Sequence, residues 1–278
     1  MPDHVTPYLK WAGGKARIAA RILEELPAGA RFSRLVEPFL GSGAFALNAA
    51  HLVDGMLLAD ANPDLVALHR RVIADPERLI EEARDLFRPE NNTDARYRAI
   101  REAFNAERDH DRRAPMFLYL NKHGFNGLCR YNRAGGFNVP FGKMSAPRAP
   151  EEAIRHFARS LSGADVRLAD FRELMAQARR GDLLYCDPPY APLTETANFA
   201  AYAAGGFGED DQRELAEMAE EARARGAFLL VSNHDTPFTR GIYEDAQEIV
   251  PIDVRRSMSA GAGSRGAAKE IIAVFRPA

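Results

Sequence analysis

The sequence predicts an α/β fold: a mostly parallel sheet with helices on both faces, interrupted by an inserted, mainly helical lobe. Three observations predict it. Four short apolar runs each end on a polar or Gly-rich corner, helical patterns separate them, and the character of the chain changes between residues 65 and 150. Continuous apolar runs suit strands covered on both faces, because a half-exposed strand would alternate apolar with polar residues.

Leu35-Val36 precede Glu37-Pro38 and a Gly-rich turn, after which Ala44 to Ala50 reads as a helix start. Met56 to Ala59 ends on Asp60, Leu183-Leu184-Tyr185-Cys186 on Asp187, and Phe228 to Val231 on Ser232-Asn233. Ligands of such sheets bind beyond the carboxyl ends of the strands, where these corners fall. Asp211 to Arg225 has helical periodicity, and Glu248 to Val250 with Ile271 to Phe275 are expected to add strands at one edge. Leu65 to Phe104 is rich in Arg, Glu and Ala at helical spacing, whereas Asn121 to Lys143 is rich in Gly, Asn and aromatics. These shifts divide the chain into a discontinuous core, 1–64 and 151–278, and an insert, 65–150.

With 278 residues, 46% hydrophobic and 27% charged, the chain can bury one core and a smaller lobe. No apolar run reaches the roughly 18 residues of a membrane span, and the N-terminus has no signal pattern, so cytoplasmic residence without a membrane partner is expected. Cys129 and Cys186 form no Cys-x-x-Cys or Cys/His cluster, which points to reduced thiols and to no metal. A formal charge of -2 argues against a chain that coats nucleic acid, but distribution outweighs the sum. Asn121 to Pro150 carries Lys122, Arg130, Arg133, Lys143 and Arg148 and no acid, while Glu209 to Glu221 holds seven carboxylates and one Arg, as a solvated helix face would.

Two constellations carry chemistry. In Phe39-Leu40-Gly41-Ser42-Gly43 the glycines let the backbone turn tightly and approach a nucleotide-like ligand. With Ala46 they satisfy Gly-x-Gly-x-x-Ala, and Asp60, 17 residues after Gly43, suits ribose hydroxyls. A nicotinamide-dependent dehydrogenase and a plain structural turn both stay open on that loop alone. Asp187-Pro188-Pro189-Tyr190 has a different logic. A planar amino nitrogen is a poor nucleophile because its lone pair is delocalised into the ring. Asp187 and the Pro188 carbonyl can accept its two N–H bonds, prolines fix that carbonyl's direction, and Tyr190 offers a face on which an extruded base can stack. A rigid turn after a strand is the bland alternative.

Together with Tyr8 to Lys15, Val36 to Gly43, Asp60-Ala61-Asn62, Tyr119 to Asn132, Gly136 to Gly142, Ser232 to Thr236 and Arg255 to Ser259, these motifs resemble, in order, the DNA adenine methylase family. The resemblance implies a Rossmann-like, S-adenosylmethionine-dependent methyltransferase core with an inserted target-recognition domain. The implied enzyme methylates N6 of adenine in duplex DNA, at GATC, after base flipping. It implies cofactor binding by Trp11, Lys15, Glu37, Phe39, Gly41, Gly43, Asp60 and Asp187, and catalysis by Asp187, Pro188, Pro189 and Tyr190. DNA contacts are implied for Lys10, Asn126, Leu128, Arg130, Asn132, Pro140 and Lys143, with Arg130 as a guanine reader.

Lys143 stands where relatives often have Arg, and Met144 where they often have an aromatic. The turn containing Gly261-Ala262-Gly263 and Arg265 is more flexible and less cationic than is common. Cys186 is expected to be packed rather than nucleophilic, and His234 to sit in a hydrogen-bonded turn. A monomer is expected when no DNA is bound. Roles in replication, mismatch repair, gene regulation, restriction-modification or a phage stay equally open. The rival readings are amino-methylation of cytosine N4 or RNA, the dehydrogenase, and a non-catalytic DNA-binding relative.

Overall fold

The computed structural model describes residues 5–11, 13–143, 145–190, 207–254 and 268–278. Met144, the Arg255-to-Ser259 block, the Gly261-to-Gly263 turn and Arg265 lie outside the described residues.

Among the described residues seven strands, β1 (Arg34–Glu37), β2 (Met56–Asp60), β3 (Asp165–Leu168), β4 (Asp182–Cys186), β5 (Phe228–His234), β6 (Glu248–Val254) and β7 (Ala268–Phe275), form one sheet in the order β3-β2-β1-β4-β5-β7-β6. β1 runs parallel to β2 and β4, and β4 to β5, while β7 pairs antiparallel with both β5 and β6. The α/β class read from the apolar runs is therefore observed. Every residue of β4 is buried, as a run with no polar alternation requires. β7 lies inside the sheet and β6 takes the edge. The sequence does not announce β3, because only Val166 of its four residues is buried and Leu168 is 52% exposed.

The chain divides into two compact units. The first comprises Met1–Ala19, Leu40–His51 and Asp60–Leu168. Its helices include Pro63–Ala74, Pro76–Arg84, Asp94–Ala106 and His110–His123. Each of these four starts where a side chain accepts first-turn N–H groups: Asn62, Asp75, Thr93 and Asp109. The Gly/Asn-rich segment after them is ordered by side chains that satisfy its backbone. Tyr97 Oη and Arg101 Nη1 each donate to the Val139 carbonyl at 3.0 Å, and Asn105 both accepts from and donates to the Phe137 backbone. Phe137 itself packs on Phe104 and Phe117.

The second unit comprises Ala20–Phe39, Leu52–Ala59 and Ala169–Ala278. Val36, Leu184, Leu229, Val231, Ile271 and Ala273 form its core with Leu215, Ala219 and Ala222 of the helix Glu209–Ala224. Asp182 begins β4 with no exposed surface and accepts from Arg34 Nη2 at 2.6 Å, Arg34 Nε at 3.2 Å and the Arg179 amide at 3.0 Å. Removing one partner of such a pair strands the other charge, so Asp182→Ala is expected to lose about 3 kcal/mol of stability. Denaturant unfolding checks it, as a lower midpoint at unchanged slope. Among the described residues, no helix is long and apolar enough to cross a membrane.

Candidate active site

In the first unit the Gly-rich loop turns through Gly41 (φ +50°) and Gly43 (φ +70°) into the helix Ala44–Ala49. Both glycines face rings: a Cβ on Gly41 would lie 2.9 Å from Trp11 Nε1, and one on Gly43 2.7 Å from the Phe157 ring. Asp60 closes the loop, its Oδ2 accepting the Gly41 amide and its Oδ1 the Asn62 amide, each at 2.9 Å. Burial raises the Asp60 carboxyl above its ordinary range, and the amides of Asn62, Gly41 and Ala61 oppose that rise. Trp11, Gly41 and Asp60 are thus brought together. Lys15 follows in a single 3₁₀ turn, buried, its ammonium donating to the Gly13 carbonyl at 2.9 Å.

Two residues that sequence reasoning left without a role hold this loop from behind. His69 Nε2 lies 2.8 Å from the Gly41 carbonyl and its Nδ1 2.8 Å from Tyr8 Oη. A carbonyl only accepts, so Nε2 carries the proton and Nδ1 takes the tyrosine hydroxyl. Burial lowers the His69 pKa to about 4, which keeps the ring neutral and this tautomer fixed. A lone His at a helical core position gives no sequence signal for such a job.

The same unit carries the residues implied in DNA contact. Lys10 brackets the Asn121 side chain with its backbone amide and carbonyl, and its Nζ donates to the Lys122 carbonyl at 3.3 Å. Burial, with Lys10 nearby, lowers Lys122 to about 8. Asn126 is exposed at φ +53°, beside Phe125, which is 44% exposed. Phe125 had no assigned role in the sequence; an aromatic next to Asn-Gly stands out only once its exposure is known. Arg130 is exposed, its Nε donating to Asn138 Oδ1 at 2.8 Å and its Nη2 to the Asn138 carbonyl at 3.3 Å. Asn132 Oδ1 accepts the amides of Ala134 and Gly136 and so shapes a turn. The Pro140 carbonyl accepts the Phe125 amide at 2.9 Å, Leu128 is half-buried, and Lys143 is exposed at φ +51°.

In the second unit Asp187-Pro188-Pro189-Tyr190 leaves the end of β4. Tyr190 Oη donates to Glu270 Oε2 at 2.9 Å, and its ring packs edge-on against His234 at 4.6 Å. Burial raises the Tyr190 pKa, reinforced by Asp187 and Glu270, so the phenol keeps its proton. Gln212, buried on its helix, donates to the Pro189 carbonyl at 2.8 Å and accepts from the buried Asn233 at 2.9 Å. The turn is held from three elements. Glu37 ends β1 buried, and Phe39 stacks on Phe171 with Phe207 at its edge. Cys186 is fully buried against Met175, and burial pushes its thiol well up. His234 is a wall for Tyr190. Among the described residues no His/Cys/Asp/Glu group suits a metal.

The family model of the D12 class N6 adenine-specific DNA methyltransferases matches residues 11–258. The DNA adenine methylase of Vibrio cholerae O395 is 44% identical over 271 residues, covering 97% of this chain and 96% of its own. That of Escherichia coli K12 is 44% identical over 270 residues, covering 97% and 95%. Among solved structures, precorrin-6y C5,15-methyltransferase from Geobacter metallireducens GS-15 overlays with a TM-score of 0.42 at 10% identity, covering 99% of this chain and 95% of that one.

Proposed function

The chain belongs to the D12 class of N6 adenine-specific DNA methyltransferases, and from that premise we propose that it moves the methyl group of S-adenosylmethionine to N6 of a flipped adenine within GATC. The observation that carries the proposal is the Asp187-to-Tyr190 turn, whose aromatic ring and Pro189 carbonyl are each fixed by buried side chains. Under this reading Asp187 and the Pro188 carbonyl accept the two amino protons, turn the nitrogen lone pair toward the donor and steady the charge that develops on nitrogen. Tyr190, oriented by Glu270 and His234, stacks on the extruded base.

The residues of the Gly-rich loop fit a nucleoside-bearing donor. Gly41 lets the Trp11 indole close on the loop where a Cβ would collide with its ring, and Asp60, both oxygens fixed by amides, keeps acceptor capacity for ribose hydroxyls. Lys15 and Gly43 of the same unit are proposed to contribute to donor binding, as are Glu37 and Phe39 of the second unit. When bound, the donor supplies an electrophilic sulfonium methyl. The insert 65–150 is proposed as the target-recognition domain, with Lys10, Asn126, Leu128, Arg130, Asn132, Pro140 and Lys143 on the DNA and Phe125 as an additional stacking surface.

The test is transfer of labelled methyl to duplexes carrying GATC, a scrambled site or a site already methylated on both strands. Label should enter only the first. Equal labelling of the scrambled duplex would remove the GATC assignment, and label recovered on cytosine would remove the adenine target. In the same assay Arg130→Ala should cut the ratio of kcat/KM for cognate over single-base-altered sites by about tenfold or more at one guanine position.

A further inference from the structure

A single corner of the first unit docks both sides of the proposed base reader. Arg130 lies on a small hairpin: the Asn138 amide donates to the Arg130 carbonyl at 3.0 Å, the Asn132 amide to the Gly136 carbonyl at 2.8 Å, and Tyr131 bridges Phe137. Successive side chains on such a ribbon face opposite ways. Arg130 and Asn138 share the outer face and are hydrogen-bonded there, while Tyr131 turns inward, its ring against Phe137. The Tyr131 hydroxyl donates to Asp64 Oδ2 at 2.7 Å. On the other side of Arg130, Cys129 Sγ lies 3.5 Å from Asn62 Nδ2.

Asn62 and Asp64 belong to the turn that starts at Asp60. Asn62 donates its amide to Asp60 Oδ1 and caps the helix Pro63–Ala74 with its side chain, accepting the amides of Asp64 and Leu65. Asp64 is 2% exposed and gathers two further donors, His110 Nδ1 at 2.7 Å and Arg113 Nη2 at 2.9 Å. Arg113 in turn lies over the Phe104 ring, 4.0 Å from its centre. A carboxylate held by three donors from two segments, the Tyr131 hairpin and the helix His110–His123, is a rigid node, because each charge-assisted bond fixes direction as well as distance. A hairpin with no such anchor would let the guanidinium wander by more than the geometry of a bidentate base contact tolerates.

We infer that Asp64, acting through Tyr131, is a positioning residue for base discrimination: it ties the hairpin that presents Arg130 to the turn that carries the donor-site carboxylate Asp60. The inference rests on the proposed reading of Arg130. The hydroxyl of Tyr131 contributes direction rather than bulk, since the ring keeps its Phe137 contact without it. The carboxylate of Asp64 contributes acceptance, which an amide would supply at one oxygen only.

The experiment measures kcat/KM for methyl transfer to a GATC duplex and to duplexes altered at one base pair each, for wild type, Arg130→Ala, Tyr131→Phe and Asp64→Asn. The cognate-to-altered ratio cancels the fraction of folded enzyme, so a variant that merely folds poorly leaves the ratio unchanged. Arg130→Ala identifies the base pair that residue reads. Tyr131→Phe and Asp64→Asn are expected to lower the ratio at that same pair several-fold, with ratios at the other pairs within twofold of wild type. A uniform loss of activity, or a ratio at that pair equal to wild type, overturns the positioning role while leaving Arg130 as the reader. An Arg130→Ala variant that discriminates like wild type at every pair overturns the base-reader assignment and this inference with it.

Discussion

Asp187→Asn is expected to slow methyl transfer by about a hundred- to a thousandfold, while duplex DNA is still bound. The asparagine keeps the shape of the carboxylate, so the substitution isolates its charge and its acceptor character. Attack by the amino nitrogen places positive charge on that nitrogen. An anionic acceptor fixed beside it stabilises the charge without reorganising, and removing a single preorganised group of this kind costs two to three orders of magnitude in kcat. Asn also offers one acceptor oxygen in place of two, since its N–H₂ cannot accept. The surroundings should survive the change. β4 ends immediately before Asp187 with Cys186 paired to Val231 of β5, Pro189 is held by Gln212, and Tyr190 by Glu270 and His234. Single-turnover rates measured beside gel-shift affinity separate the two effects: a rate within tenfold of wild type would remove Asp187 from the chemistry, and a parallel loss of DNA affinity would make it a structural residue.

The carboxyl-terminal strand corners were legible because each pairs a run of buried aliphatics with a residue that no buried strand would otherwise choose. Asp60 and Asp187 stand out on that ground. What holds those corners was not legible. His69, Gln212 and Glu270 act over 28, 23 and 80 residues of chain on Gly41, Pro189 and Tyr190 respectively, and nothing local marks them. A buried polar side chain reads in sequence like any exposed one until the fold shows what it faces. β3 escaped for the opposite reason, since a strand with one buried residue has no periodicity to detect. The Asn121-to-Lys143 segment showed its charge in the sequence but not its architecture, because its backbone is satisfied by Tyr97, Arg101 and Asn105 from a helix that periodicity alone describes as amphipathic.

Gly41→Ala should weaken S-adenosylmethionine binding by about a hundredfold, with a smaller fall in thermal stability. Two terms add. At φ +50° an L side chain sits in the left-handed region, which costs roughly 1–2 kcal/mol. The new methyl would also lie 2.9 Å from Trp11 Nε1 and 3.0 Å from its Cδ1, closer than packed atoms come. The indole can swing away because Trp11 is only partly buried, so the fold is largely spared and the donor site is not. The loop itself resists moving: its amide is held by Asp60 and its carbonyl by His69, and His69 by Tyr8. Strain therefore resolves toward Trp11, the side proposed to face the donor, or by breaking the contact with Asp60, the proposed ribose acceptor. Either route damages donor binding before it unfolds the protein. Calorimetric titration with the methyl donor reads the first effect and thermal unfolding without it the second. Donor affinity equal to wild type would place the donor elsewhere than on Trp11, Gly41 and Asp60, and full unfolding would show that the loop, rather than the indole, gives way.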